Sequence, residues 1–85
     1  MRLNYKQKFI KLYAKSPSKI QRAFDRRIKL FKNEPNNRLL NNHNLKGKYG
    51  GLRSINITGD WRAIFKQTGD LFTFLLLDTH SNLYK

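Results

Sequence analysis

The stretch Leu71-Phe72-Thr73-Phe74-Leu75-Leu76-Leu77-Asp78 is the strongest constraint on what this chain can become. Nearly all of it is apolar, yet it is interrupted by Thr73 and is far too short to span a bilayer. A short apolar run that follows a turn signal, here Thr68-Gly69-Asp70, reads as a strand, and one this apolar reads as buried on both faces. Such a strand needs a sheet to lie in, and the residues before it supply one.

From Leu45 to Lys66 the chain runs LKGKYGGLRSINITGDWRAIFK. It leaves a loop rich in glycine and lysine, crosses a strand-like run, turns at Thr58-Gly59-Asp60 and returns through Trp61-Arg62-Ala63-Ile64-Phe65. Successive strand side chains point opposite ways, so alternation predicts a buried face of Ile55, Ile57, Ala63 and Phe65. Ser54, Asn56, Arg62 and Lys66 fall on the open face. Trp61 has the apolar parity but sits beside the turn, where it fits either core or rim.

Two amphipathic helices are predicted ahead of this hairpin. Arg2 to Tyr5 alternates like a short edge strand, and from Lys6 the period changes: Phe9, Leu12 and Tyr13 share one helical face. Ser16-Pro17 signals a second helix, with an N-cap hydroxyl and proline in the first turn. Its stripe is Ile20, Ala23, Phe24, Ile28 and Phe31, and it should end near Asn33 because Pro35 disfavours helical geometry at Glu34. Residues 34 to 51, with six asparagines counting Asn33 just before them, read as loop, anchored by Leu39, Leu40 and Leu45. Thr79 to Lys85 leaves the last strand and packs back as a short turn. The expected fold is α+β, in the order β-α-α-β-β-β, with both helices on one face of a small, mostly antiparallel sheet.

Eighty-five residues make one domain, 1–85, with a modest core. Without cysteine there is no disulfide or thiolate site, and two histidines alone argue against a structural zinc. No signal-peptide run opens the chain, so the expected location is the cytoplasm, with no membrane partner. Charge is the dominant global fact: 18 Lys plus Arg stand against 5 Asp plus Glu, a net +13. Nucleic acid or an acidic protein is the expected partner. Eleven of the 18 cations lie in residues 1 to 33, opposed there only by Asp25. Individually they read as solvated helix faces; together they make a long-range field.

The chain has no P-loop, dinucleotide fingerprint, nucleophile elbow or paired carboxylates at a usable spacing. What remains is His43, Asp60, Arg62, His80 and Tyr84 in a cationic setting. Cleaving RNA through its own 2′-hydroxyl needs a base for that hydroxyl, cations for the phosphate charge and an acid for the departing 5′-oxygen. Histidine suits either proton transfer near neutral pH, and arginine can hold a phosphate bidentately. No metal or cofactor is required. Each residue also has a plainer account: His43 as a solvated loop residue, Asp60 as a turn former, Tyr84 and Trp61 as core edges. The residues alone lead to a small basic α/β domain that binds nucleic acid.

His43-Asn44-Leu45-Lys46-Gly47, the run Gly51 to Ile57 with Asp60-Trp61-Arg62-Ala63-Ile64-Phe65, and the ending Thr79-His80-Ser81-Asn82-Leu83-Tyr84 together resemble the RelE/ParE toxin superfamily. The similarity is closest to the YafQ-like branch of RelE-type mRNA interferases and spans almost the whole chain. It implies a type II toxin–antitoxin toxin that cleaves mRNA in the ribosomal A site without metal and is neutralised by a cognate acidic antitoxin. By that resemblance His80 matches a general acid or base, His43 the loop histidine and Asp60 the acidic residue of the hairpin turn. Arg62 matches a phosphate-binding arginine and Tyr84 a terminal aromatic. Lys46, Lys48, Arg53, Asn56 and Trp61 are the expected RNA-binding residues. Asn56 stands where the YafQ branch carries a further histidine, which leaves His43 and His80 with more of the proton transfer. The alternatives are a ParE-like inhibitor of DNA gyrase and a non-catalytic RNA-binding module.

Overall fold

A computed structural model describes residues 1–85. The chain enters through β1 (Arg2–Tyr5) and then forms α1 (Gln7–Lys15) and α2 (Ser18–Asn33). The sheet continues with β2 (His43–Asn44), β3 (Arg53–Asn56), β4 (Trp61–Thr68) and β5 (Leu71–Thr79), and α3 (His80–Leu83) follows directly. Strand order is β1-β5-β4-β3-β2. The β1–β5 pair is parallel and the other three are antiparallel, so the sheet is mixed, and the parallel partners lie at opposite ends of the chain.

Both helices lie where their apolar stripes predict. Phe9, Ala23, Phe24, Ile28 and Phe31 meet Ile55, Ile57, Ala63, Phe65, Phe72, Phe74 and Leu77 in one buried cluster. Phenylalanine dominates it. Phe31 stands edge-on to Phe65 and Phe72 with ring centroids 5.2 and 5.4 Å apart, and Phe65 lies 5.1 Å from Phe74. Tilted and edge-on pairs of this kind contribute beyond the area they bury, which suits a small core without covalent staples.

The boundary between the helices differs from the expectation. Ser16 does not cap α2: its hydroxyl donates back to the Leu12 carbonyl at 2.8 Å, closing α1. Pro17 precedes the first turn of α2, and its carbonyl accepts from the Ile20 and Gln21 amides. The serine lies closer to the unpaired carbonyls ending one helix than to the amides starting the next.

The segment after α2 is more ordered than a loop. It holds single 3-10 turns at Arg38–Leu40 and Gly47–Tyr49, with β2 between them as a second sheet edge. Leu40 and Leu45 are buried as anchors, but Leu39 is 58% exposed, because a turn that buries one leucine points its neighbour outward.

The faces of the sheet also depart from simple alternation. β5 pairs Ile64 with Leu76 but Phe65 with Phe74, so Leu75 is left over as a bulge. The bulge reverses parity, which is how Phe72, Phe74 and Leu77 all reach the helices. On the opposite face Leu75 and Leu76 are only half-buried, since little covers that side. What does cover it is a small second cluster of Leu45, Ile64 and Leu83, backed by Tyr49, Leu52 and Leu76. Ser54, expected in the open, is buried there as well. No helix is long and apolar enough to cross a membrane.

Candidate active site

Beside that second cluster, on the sheet face turned away from α1 and α2, Asn41, His43, Ser54, Arg62, His80 and Tyr84 line an open recess of about 210 Å³. Sheet register brings the parts together: Ser54 pairs with His43 on one side and Ile64 on the other, and Asn56 pairs with Arg62.

His43 is held by its own loop. Asn41 adopts the left-handed conformation (φ 45°, ψ 49°), which asparagine tolerates better than most residues. Its carbonyl thereby lies 2.7 Å from His43 Nδ1. A carbonyl only accepts, so Nδ1 carries the hydrogen and Nε2 of the neutral ring is left with the lone pair.

Arg62 projects from the start of β4. Its Nη1 donates to the carbonyls of Thr58 (3.0 Å), Gly59 (2.9 Å) and Trp61 (3.3 Å), which fixes the guanidinium against the hairpin turn. Nε and Nη2 have no partner within the chain and remain available as donors to an anion. The Thr58 hydroxyl stabilises the same turn by accepting from the amides of Asp60 and Trp61. Asp60 is exposed, and its link to the site is a backbone one: its carbonyl accepts from the His80 amide at 2.8 Å.

His80 opens α3, which begins with the Thr79 hydroxyl accepting from the Asn82 amide. Asp78 reinforces the cap by accepting from the Thr79 amide and the Asn82 side chain. One turn on, Tyr84 returns beneath His80 with ring centroids 4.8 Å apart. Tyr49 closes the stack: its ring meets Tyr84 edge-on at 5.5 Å, and its hydroxyl donates to the Leu83 carbonyl.

Of the residues singled out from sequence, His43, Arg62, His80 and Tyr84 converge in the recess. Asn56 shares their sheet face, and its Oδ1 is buried without a hydrogen-bond partner. Lys46 and Lys48 are exposed on the neighbouring loop, with Lys48 Nζ 5.1 Å from the Tyr49 ring centroid. Arg53 is half-buried and bonded to the β2 segment. Trp61 lies on the other face, packed against the main core beside Leu12 and Leu77. Sequence reasoning missed Tyr49, Ser54 and Asn41. Ser54 shares the parity of Arg62 and was traceable; Tyr49 and Asn41 carry no signal beyond their loops.

The fold is that of the RelE-type toxins. YafQ from E. coli strain BL21(DE3) superposes with a TM-score of 0.83 at 22% identity, covering 100% of both chains. YafQ within the E. coli DinJ–YafQ toxin–antitoxin complex gives 0.80 at 22% identity, over 98% of this chain and 96% of that one. A conserved hypothetical protein from Helicobacter pylori gives 0.75 at 28% identity, over 99% of each. No curated protein sequence matches significantly. The profile described as a bacterial toxin of type II toxin–antitoxin system, YafQ, matches residues 1–85. The chain belongs to the YafQ family of type II toxin–antitoxin toxins.

Proposed function

We propose that this toxin is an endoribonuclease that cleaves mRNA in the ribosomal A site through the RNA's own 2′-hydroxyl. The observation that carries this reading is the convergence of two histidines and an arginine with free donors on one recess. His43 Nε2 takes the proton of the 2′-hydroxyl, whose oxygen then bonds to the adjacent phosphorus. Arg62 Nε and Nη2 stabilise the charge that accumulates on the phosphoryl oxygens. His80, protonated, donates to the 5′-oxygen as its bond to phosphorus breaks. The products are a 2′,3′-cyclic phosphate and a free 5′-hydroxyl. Histidine is the side chain suited to either proton transfer near neutral pH. Tyr84, 43% exposed over His80, offers a ring for a base to stack on.

The scheme uses only side chains and the substrate hydroxyl, so it calls for neither metal nor cofactor. Asn56 supplies no proton, which concentrates the chemistry on His43 and His80. The net charge of +13 fits both the ribosome and an acidic antitoxin that covers the basic surface. The test is to incubate purified protein with translating ribosomes and map mRNA 5′ ends. New 5′-hydroxyl ends within A-site codons, and none on free mRNA, are expected. Intact mRNA with blocked DNA supercoiling would point to gyrase instead, and RNA retention without cleavage to a binding module.

A further inference from the structure

The Arg53 guanidinium lies across the two residues that flank His43. Its Nε donates to Asn42 Oδ1 at 2.9 Å, its Nη1 to Asn44 Oδ1 at 2.6 Å, and its Nη2 to the Asn42 carbonyl at 3.5 Å. Asn42 continues the chain of bonds, donating its Nδ2 to the Pro35 carbonyl at 3.0 Å. We infer that Arg53 is a positioning residue that sets the placement of His43, and not a ligand for RNA phosphate; this rests on the reading of His43 as the proton acceptor.

β2 is two residues long and forms an edge of the sheet, so backbone pairing alone gives it little hold. His43 is on that strand, exposed, and its ring makes one hydrogen bond, to the Asn41 carbonyl. The arginine fork compensates. Its planar, preorganised donors reach acceptors on both sides of the histidine at once, whereas a lysine ammonium is a single point on a flexible stem. To present its Nε and Nη2 as a fork to a phosphate instead, Arg53 would have to release its bonds to Asn42, next to His43. The asparagines at 42 and 44 therefore act as paired acceptors for Arg53, beyond their general preference for loops.

The test follows His43 directly and separately from activity. In the purified protein, long-range proton–nitrogen NMR should show the His43 ring protonated at Nδ1. Arg53→Lys keeps the charge but loses the fork, and the ring should shift toward a mixture of tautomers. Single-turnover cleavage of ribosome-bound mRNA should fall by about 10- to 100-fold, since a misplacement of about 1 Å costs on that order. Ribosome affinity and its salt dependence should stay as in wild type. In a His43→Ala background the added Arg53→Lys should change the rate little, because it acts through a group already removed. Asn44→Ala, which removes one acceptor and leaves the arginine, should repeat the effect more weakly and decides the matter if the lysine variant folds poorly. An unchanged tautomer in both variants overturns the inference, as does equal slowing with and without His43. So does wild-type cleavage with a shallower salt dependence, which would return Arg53 to phosphate binding. If the wild-type protein cuts no mRNA at all, the proposed function fails while the NMR comparison still judges the clamp.

Discussion

Tyr49 donates its hydroxyl to the Leu83 carbonyl at 2.8 Å, tying the glycine-rich loop to the short helix that presents His80 and Tyr84. A four-residue helix has too few backbone bonds to hold itself, so contacts from outside decide where its side chains point. Tyr49→Phe keeps the ring against Tyr84 and deletes only this bond. The variant should lose about 0.5–1.5 kcal/mol of stability and cleave more slowly, with ribosome binding retained. Urea unfolding alongside single-turnover cleavage measures both, and an unaltered rate would show that α3 is held by Leu83 packing alone.

Removing the proposed proton donor should be the most severe single change. A positioned acid or base contributes about 10²- to 10⁴-fold, so His80→Ala should slow cleavage by that order with binding nearly intact. His80→Gln should not rescue it, because an amide hydrogen bonds but transfers no proton at neutral pH. Arg62→Ala should also be slow, but with a defect less dependent on pH, since it removes charge stabilisation. Rates across pH 5 to 9 for the three variants distinguish these roles; a wild-type rate and profile for His80→Ala would remove His80 from the chemistry.

Lys46 and Lys48 are exposed beside the recess and make no ion pair. Alanine at either should weaken ribosome or RNA association and reduce the salt slope by about 0.7–0.9 for each phosphate no longer neutralised. Cleavage within the bound complex should survive. Titrating affinity against salt concentration is the measurement, and a fall in turnover with unchanged affinity would place these lysines in the reaction itself.

Stability should fall in acid through one surface pair. The Arg2 guanidinium hydrogen bonds to Asp70 and, by that bond and by its charge, holds the carboxyl below its usual range. A depressed carboxyl stabilises the fold above its unfolded value, near pH 4, and that contribution disappears as pH drops through the folded value. Asp70→Asn should therefore differ from wild type at neutral pH and converge with it in strong acid. Unfolding midpoints from pH 2 to 7 at low salt show this directly, and parallel curves would mean the pair contributes nothing. At the alkaline end the Asp25 carboxylate, accepting a hydrogen bond from Tyr13, raises that phenol. Its contribution is present below the usual tyrosine range and is lost as pH rises through the raised value.

Residues whose role follows from local period were legible in the sequence. The stripes of α1 and α2, the faces of Ile55, Ile57, Ala63 and Phe65, and the position of His80 at a strand end all follow from spacing. Features created by tertiary packing were not legible. Alternation places Ile64 with Arg62 on the polar face, and only the return of α3 buries it against Leu45 and Leu83. The Leu75 bulge reverses the parity of β5 without any glycine to mark it. Arg53 counts as one more cation until its partners are known, and Trp61 beside the turn faces the helices and not the recess.

β5 lies between β1 and β4, and β1 has no other neighbour in the sheet. During synthesis the first strand must therefore wait until residues 71–74 have been made before it can pair, and closing so long a stretch of chain carries an entropic cost that slows folding. His80 follows immediately on that same strand. The closing of the sheet and the placing of the second histidine thus fall to one late segment, which joins the two ends of the chain in a single step of assembly.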